Sequence, residues 1–552
     1  MNFQILFLII VLVIIIYSLI KDIIKGHINK KNNVENILDS KLVYLILFLV
    51  VIITSIYKLG KIPNLINADE AGMGYDALSI SNYGVDRYLN RFPLYLMNFG
   101  SGQSVMLAYL SVLFIKIFGM NLVSIRIPMV LFRIFSFIAC YFISRKFDNK
   151  MHRFTFLFLF SICPYFIMKS RWGLDCNLLL DFLSIAICIY IYALDSKTKF
   201  RYLLFLLSGL FFGLSFYCYI LSLIIIPIIL FLFILYSLYM KKATIKDMLF
   251  FILPIFILAI PFLLLYLVNK GYISEIKGII TIPKLYLFRD KEISFSNITK
   301  ELYIFKSLLS YDKDTVLVFQ SSTYTFGTLY YISIPFIIIG FIVLVLKVSN
   351  SIKYKKYDIS FLILVWLISV IFCQLIIEHP NINKANAIFI PLVYLCSLGI
   401  CTISKYSNAR LFIVIFIYII SFCLFINYYF NDYNKDNNIN SYFVTCDYSN
   451  ALSYIEDTEF NNVHIELCDR YKLDYIYLFL YYKINPYLYQ VNMGSDFDSL
   501  SFNINNKIYD FNVYDINKPG IYIVKCNEII NKLINSECRY KIVGNYYIFY
   551  KE

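Results

Sequence analysis

The sequence predicts a polytopic α-helical membrane protein of about 12 spans, with extracytoplasmic juxtamembrane helices and a small C-terminal α/β domain. Three observations predict it. The 552 residues are 60% hydrophobic and only 16% charged, where a soluble domain is nearer half apolar and a quarter charged. Apolar runs of about 20 residues, enough to cross a bilayer, recur along the first four-fifths of the chain. From about Asn431 the composition changes: Asp, Asn, Lys and Tyr rise, and no spanning run follows.

In order, the candidate spans are 3–20, 42–59, 122–144, 154–169, 177–194, 202–219, 221–240, 247–268, 331–348, 359–378, 386–403 and 410–428. The first twenty residues lack a basic leader region and a small-residue cleavage site, so they read as a retained span. The domain reading is 1–40 for an extra N-terminal span and basic loop, 41–430 for the membrane domain with a first outer loop over 60–121, and 431–552 for the α/β domain. A net charge of +14 would point to nucleic acid in a soluble protein. Here the Lys and Arg fall between apolar runs, which is the signature of orientation in a membrane. Basic connections at 21–41, 145–153, 197–201, 241–246, 347–356 and 405–410 then face the cytoplasm, and the C-terminal segment lies outside. Val105–Phe118 is apolar but short and carries Lys116; counting it as a span would put Arg145, Lys146, Lys150 and Arg153 outside. It is therefore expected as an interfacial helix on the outer surface.

The 13 cysteines include no C-x-x-C pair and no Cys/His group of zinc spacing. Cys446, Cys468, Cys526 and Cys538 lie in the C-terminal segment, where disulfides are an option whose pairing the sequence leaves open. In that segment 449–456 and 471–482 read as helices. Strands are expected at 463–467, 507–514 and 521–525, with a hairpin over 540–550 turning at Gly544-Asn545. There is no Walker loop, dinucleotide fingerprint or nucleophile elbow.

The stretch richest in chemistry is Asn67–Gln103. It carries Asp69, Glu70, Asp76 and Asp86 directly after an early span, with glycines at 72, 74, 84, 100 and 102 expected to bend it. Adjacent carboxylates at the mouth of a membrane bundle are a candidate acid/base site; a solvated acidic loop is the plain alternative. The second outer loop holds Arg171, Trp172 and Asp175, either an ion pair closing a turn or a group facing Asp69. A long third loop runs from Asn269 to about Tyr330. Lys384 is an outer cation before a span, suited to snorkelling or to an anionic headgroup.

The motifs that follow resemble the GT-C lipid-linked-sugar glycosyltransferases, in particular glycosyltransferase family 39 and its neighbours: protein O-mannosyltransferases and the bacterial enzymes that add aminoarabinose to lipid A. The resemblance rests on Asp69-Glu70 and Gly74-Tyr75-Asp76-Ala77. It continues through Pro93-Leu94-Tyr95, Phe99–Gln103, Phe118-Gly119 and Arg126-Ile127-Pro128. Ser170–Asn177, Asn383–Asn386 and Pro391-Leu392 complete it. It implies a membrane enzyme of the cell envelope that moves a sugar from a polyprenyl-phosphate donor to an acceptor hydroxyl at the outer face, by an inverting single displacement. Asp69 would be the general base, with Glu70 and Asp175 beside it in the catalytic group. Arg171 and Lys384 would hold the donor phosphate, and Tyr75, Asp76 and Gln103 would line the substrate loop. No cofactor is certain. Some relatives use a divalent metal, for which Asp69 and Asp175 are the candidate ligands. The acceptor would be a protein, a lipid or a cell-wall glycan, and no nucleic acid is expected. Lys384 stands where many relatives carry Arg, which keeps the charge but loses the bidentate fork. Two rivals stand beside the enzyme: a transporter or flippase of a lipid-linked glycan, for which Asp181 is the one clear acidic residue within a span, and a scaffold that presents the C-terminal domain.

Overall fold

The computed structural model describes residues 32–299, 319–323, 325–440, 443–467, 473–488, 501–511 and 516–552. The predicted span 3–20 and Cys468 lie outside the described residues, as does most of the third loop beyond Thr299. The described chain forms two compact units. One comprises the residues up to Tyr57, Pro128–Leu263 and Arg289–Asn427; the other comprises Lys58–Ile127, Leu264–Phe288 and Tyr428–Glu552.

The first unit is helical. Among the described residues, eight helices are long and apolar enough to cross a membrane, from Leu122–Ser144 to Asn408–Asn431. Lys41–Ile56 and Ser360–Ile376 are apolar but shorter. At 1.5 Å per residue, a 16-residue helix reaches only about 24 Å of a bilayer core about 30 Å thick. The run read as a single span at 154–169 is two helices, Lys150–Ile162 and Pro164–Lys169. Cys163 between them is extended, at φ −65° and ψ 129°, because a residue before proline is disfavoured in the helical region. Small residues let the helices approach closely. A Cβ on Gly340 would collide with the Leu395 carbonyl, and one on Gly399 with that of Phe336, so Ser333–Lys353 and Phe389–Ile403 cross backbone to backbone.

The second unit joins segments far apart in sequence. Strand β1 (Leu65–Ile66) pairs antiparallel with β4 (Val444–Thr445). Strands β2 (Leu96–Asn98) and β3 (Ser101–Gln103) form a hairpin through Phe99 and Gly100, both at positive φ, as a right-twisted two-residue turn requires. The remaining strands are β5 (Asn462–Glu466), β6 (Ser501–Ile504), β7 (Lys507–Asp510), β8 (Gly520–Val524), β9 (Arg539–Val543) and β10 (Tyr546–Lys551). They build one sheet in the order β6-β7-β5-β8-β10-β9. β5 runs parallel to β7 and β8, and the other pairs are antiparallel. The β9–β10 hairpin turns at Gly544 and Asn545 as expected. The β6–β7 hairpin, through Asn505 and Asn506 at positive φ, and the helix Asn527–Asn535 were not anticipated. The core of this unit mixes Ile66, Ala71 and Tyr75 with Leu452, Ile465, Ile476, Phe479 and Ile523. The contacts thus group 431–552 with the first loop, where the sequence suggests a separate domain. The loop's apolar side chains complete the core that covers the C-terminal sheet.

Candidate active site

The helix Ala68–Tyr83 begins at Asn67, whose side-chain oxygen accepts from the Glu70 amide at 2.6 Å. This cap puts Asp69 and Glu70 in the first turn, where helix-end amides favour negative charge. The helix N-cap is therefore Asn67. Gly72 and Gly74 do not bend the loop; they lie inside this helix. A Cβ on Gly72 would stand 2.5 Å from Arg87 Nη2, and one on Gly74 2.6 Å from Ile125 Cδ1, so both serve close packing. Gly84, at φ 73°, ends the helix in the left-handed region.

The four loop acids have different surroundings. Glu70 is fully buried and takes Arg126 Nε at 2.7 Å and Nη2 at 2.9 Å. Arg126 also donates to the carbonyls of Pro63 and Leu65, at 2.9 and 2.7 Å. Asp76 is fully buried and held by Arg87 through its backbone amide, Nε and Nη2. Asp86 is buried among donors from Tyr88 and Asn90. Burial, reinforced by the charge of Asp76, pushes its carboxyl up to about 7. Asp69 is exposed, and its Oδ1 accepts from Asn98 Nδ2 at 2.9 Å. The β2–β3 turn presents that amide, and the Arg87 guanidinium lies 5.1 Å over the Phe99 ring in the same turn. Tyr75 donates to the Ile484 carbonyl at 2.9 Å from within the core. Gln103 is buried, and its Oε1 has no hydrogen-bond partner among the described residues.

The remaining expected site residues belong to the first unit. Arg171 is fully buried and donates to the carbonyls of Thr54, Ser55 and Tyr57, at 2.9, 2.9 and 2.7 Å, closing the end of the helix Lys41–Ile56. Asp175 is half-buried at the start of a short 3-10 turn, Asp175–Asn177. Asn386 donates to the Cys176 carbonyl, which ties the second loop to the late loop. Lys384 is half-buried, with Nζ on the Glu378 carbonyl at 2.8 Å. Asp181 is clamped to Lys169 at 2.6 Å, both fully buried. Among the described residues no group of three or more His, Cys, Asp or Glu side chains gathers at metal-binding spacing.

The sequence reading passed over Asn98 and gave Arg126, Arg87 and Lys169 no role. Arg126 had a usable signal, since an arginine inside an apolar run needs a carboxylate partner. Asn98 had none, because it reaches Asp69 only through the hairpin.

Residues 102–266 match the family model described as dolichyl-phosphate-mannose-protein mannosyltransferase. No curated protein matches the chain. Two crystal structures of ArnT from Cupriavidus metallidurans are similar in fold over nearly the whole chain. The form bound to undecaprenyl phosphate has a TM-score of 0.56 at 9% identity, covering 92% of this chain and 97% of that one. The apo form gives 0.54 at the same identity and coverage. The apo oligosaccharyltransferase of Archaeoglobus fulgidus scores 0.47 at 12% identity, over 80% of this chain and 64% of that one. The family model thus matches one stretch of the chain, and over nearly its whole length the chain is similar in fold to ArnT.

Proposed function

We propose that the protein transfers a sugar from a polyprenyl phosphate to an acceptor hydroxyl at the outer face of the membrane, by a single inverting displacement, with Asp69 as general base. One observation carries the reading. Of the four first-loop acids, Asp69 alone is exposed, while Glu70 and Asp76 are locked in buried arginine forks and Asp86 is buried with a raised proton affinity. A base needs access to the acceptor, and among these acids Asp69 has it.

Asp69 takes the acceptor proton as the oxygen attacks the anomeric carbon. The bond to the lipid phosphate breaks on the opposite face, and the phosphate leaves with the electron pair. Asn98 fixes the orientation of the Asp69 carboxylate, and Arg126 anchors the turn through Glu70. Lys384 supplies a cation toward the leaving phosphate. Arg171 acts on the same group only if it surrenders carbonyl bonds, so its first duty is to hold the helix end. Asp175 positions the acceptor. In the transporter reading Asp181 would have to change partners during the cycle, and a 2.6 Å buried pair with Lys169 disfavours that.

The test is purified protein in nanodiscs, given a polyprenyl-phosphate sugar and assayed for free polyprenyl phosphate and glycosylated acceptor. Asp69→Asn should bind donor and fail to turn over. Full activity in that variant overturns the assignment.

A further inference from the structure

A cavity of about 490 Å³ opens in the second unit, and none of the four loop acids lines it. Its size is that of a small-molecule site. Strands β1 and β4 contribute Ile66 and Thr445, the turn before Arg126 contributes Asn121, and the helix Tyr475–Tyr482 contributes Tyr477 and Tyr481. Tyr448 also lines it. Its ring closes the wall, while its hydroxyl is buried in the core of the unit.

Three features define the ligand. The tyrosine rings offer flat apolar faces, which suit the C–H face of a sugar ring. Asn121, Thr445 and Ser449 offer polar groups for ring hydroxyls. Among the described residues, the one charged side chain lining the cavity is Lys483, which is exposed and sits at φ 50° just past the helix. We propose that the cavity binds an acidic saccharide, the non-reacting part of the acceptor. This rests on the transfer activity proposed above. A physical link exists: Ile125 in the cavity wall adjoins Arg126, which grips Glu70 beside Asp69.

The experiment measures binding without donor, by calorimetry on the full chain in nanodiscs. The probes are 4-nitrophenyl β-D-glucuronide and the uncharged 4-nitrophenyl β-D-glucoside, with inorganic phosphate as the control for bare anion binding. The glucuronide should bind about tenfold tighter than the glucoside, the gain expected of one charge-assisted contact. Lys483→Asn, which tolerates the left-handed backbone, should erase that difference and leave the glucoside unchanged. Ser449→Trp should fill the cavity and abolish both; if it does not fold, Lys483→Asn decides. Equal affinity for the two glycosides, no binding of either, phosphate binding as well as the glucuronide, or glucuronide binding that survives Ser449→Trp would each overturn the proposal. Asp69→Asn should leave all of these affinities intact, so a wrong base assignment and a wrong cavity assignment give different results.

Discussion

Asp69 and Glu70 are neighbours with the same charge, and their neutral variants should fail in opposite ways. Glu70 is fully buried and bound by two nitrogens of Arg126. Breaking such a buried pair costs about 3–5 kcal/mol, because the partner charge is left uncompensated. Glutamine keeps the shape and one acceptor oxygen, so Glu70→Gln should fall at the low end, about 3 kcal/mol. At about 2–4 °C per kcal/mol for a unit of 150–250 residues, the melting temperature should drop by about 6–12 °C. Turnover per folded molecule should stay within about tenfold of wild type, since Glu70 only anchors the turn. Asp69 is exposed and accepts a hydrogen bond from Asn98. Such a bond contributes about 0.5–1.5 kcal/mol, and asparagine can still accept it. Asp69→Asn should therefore melt within about 2 °C of wild type. Its turnover should fall about 10²–10⁴-fold, the usual loss when a general base is removed. Scanning fluorimetry in detergent and release of polyprenyl phosphate in nanodiscs read the two effects separately. An active Asp69→Asn beside a stable but inactive Glu70→Gln would refute the reasoning and exchange the roles.

The Asp86 carboxyl is raised to about 7, so the native protein holds a proton that the unfolded chain releases above about pH 4. Stability attributable to this group is full below that pH and declines as pH rises toward 7; Asp86→Asn should shrink the melting-temperature difference between pH 5 and pH 8, and an unchanged difference refutes it. Gly72→Ala should destabilise despite a gain of about 1 kcal/mol in helix propensity. The new Cβ would meet Arg87 Nη2 at 2.5 Å, and the Asp76 fork leaves that guanidinium little room, for an overpacking cost of about 1–3 kcal/mol; a melting temperature at or above wild type contradicts this. Arg171→Ala should lower stability by opening three carbonyls at a helix end, and Arg171→Lys by less; if the residue also holds donor phosphate, donor affinity measured on the folded fraction falls in the same order. A cysteine placed at residue 148 should resist an impermeant thiol reagent from outside while one at residue 80 or 450 reacts after mild opening of the fold, and outside labelling at 148 would overturn the topology.

The sequence by itself determined the class of the molecule. Apolar runs and basic connections are local signals, so most helices fall within a few residues of their expected ends, as does the turn at Gly544-Asn545. The first loop was legible as the chemical centre because acids are costly beside a membrane and stand out there. Tertiary structure decided which acid is which. Asp69 and Glu70 are adjacent and alike in charge, and only the arrival of Arg126 from 56 residues away separates an exposed carboxylate from a buried strut. The same holds for Gly72, whose role is a close approach to Arg87, and for Tyr75, whose hydroxyl is bound 409 residues on, at Ile484. Periodicity and composition report what a residue prefers over a few neighbours. Ion pairing, burial and cavity shape depend on which distant segments the fold brings into contact, and those belong to the three-dimensional structure.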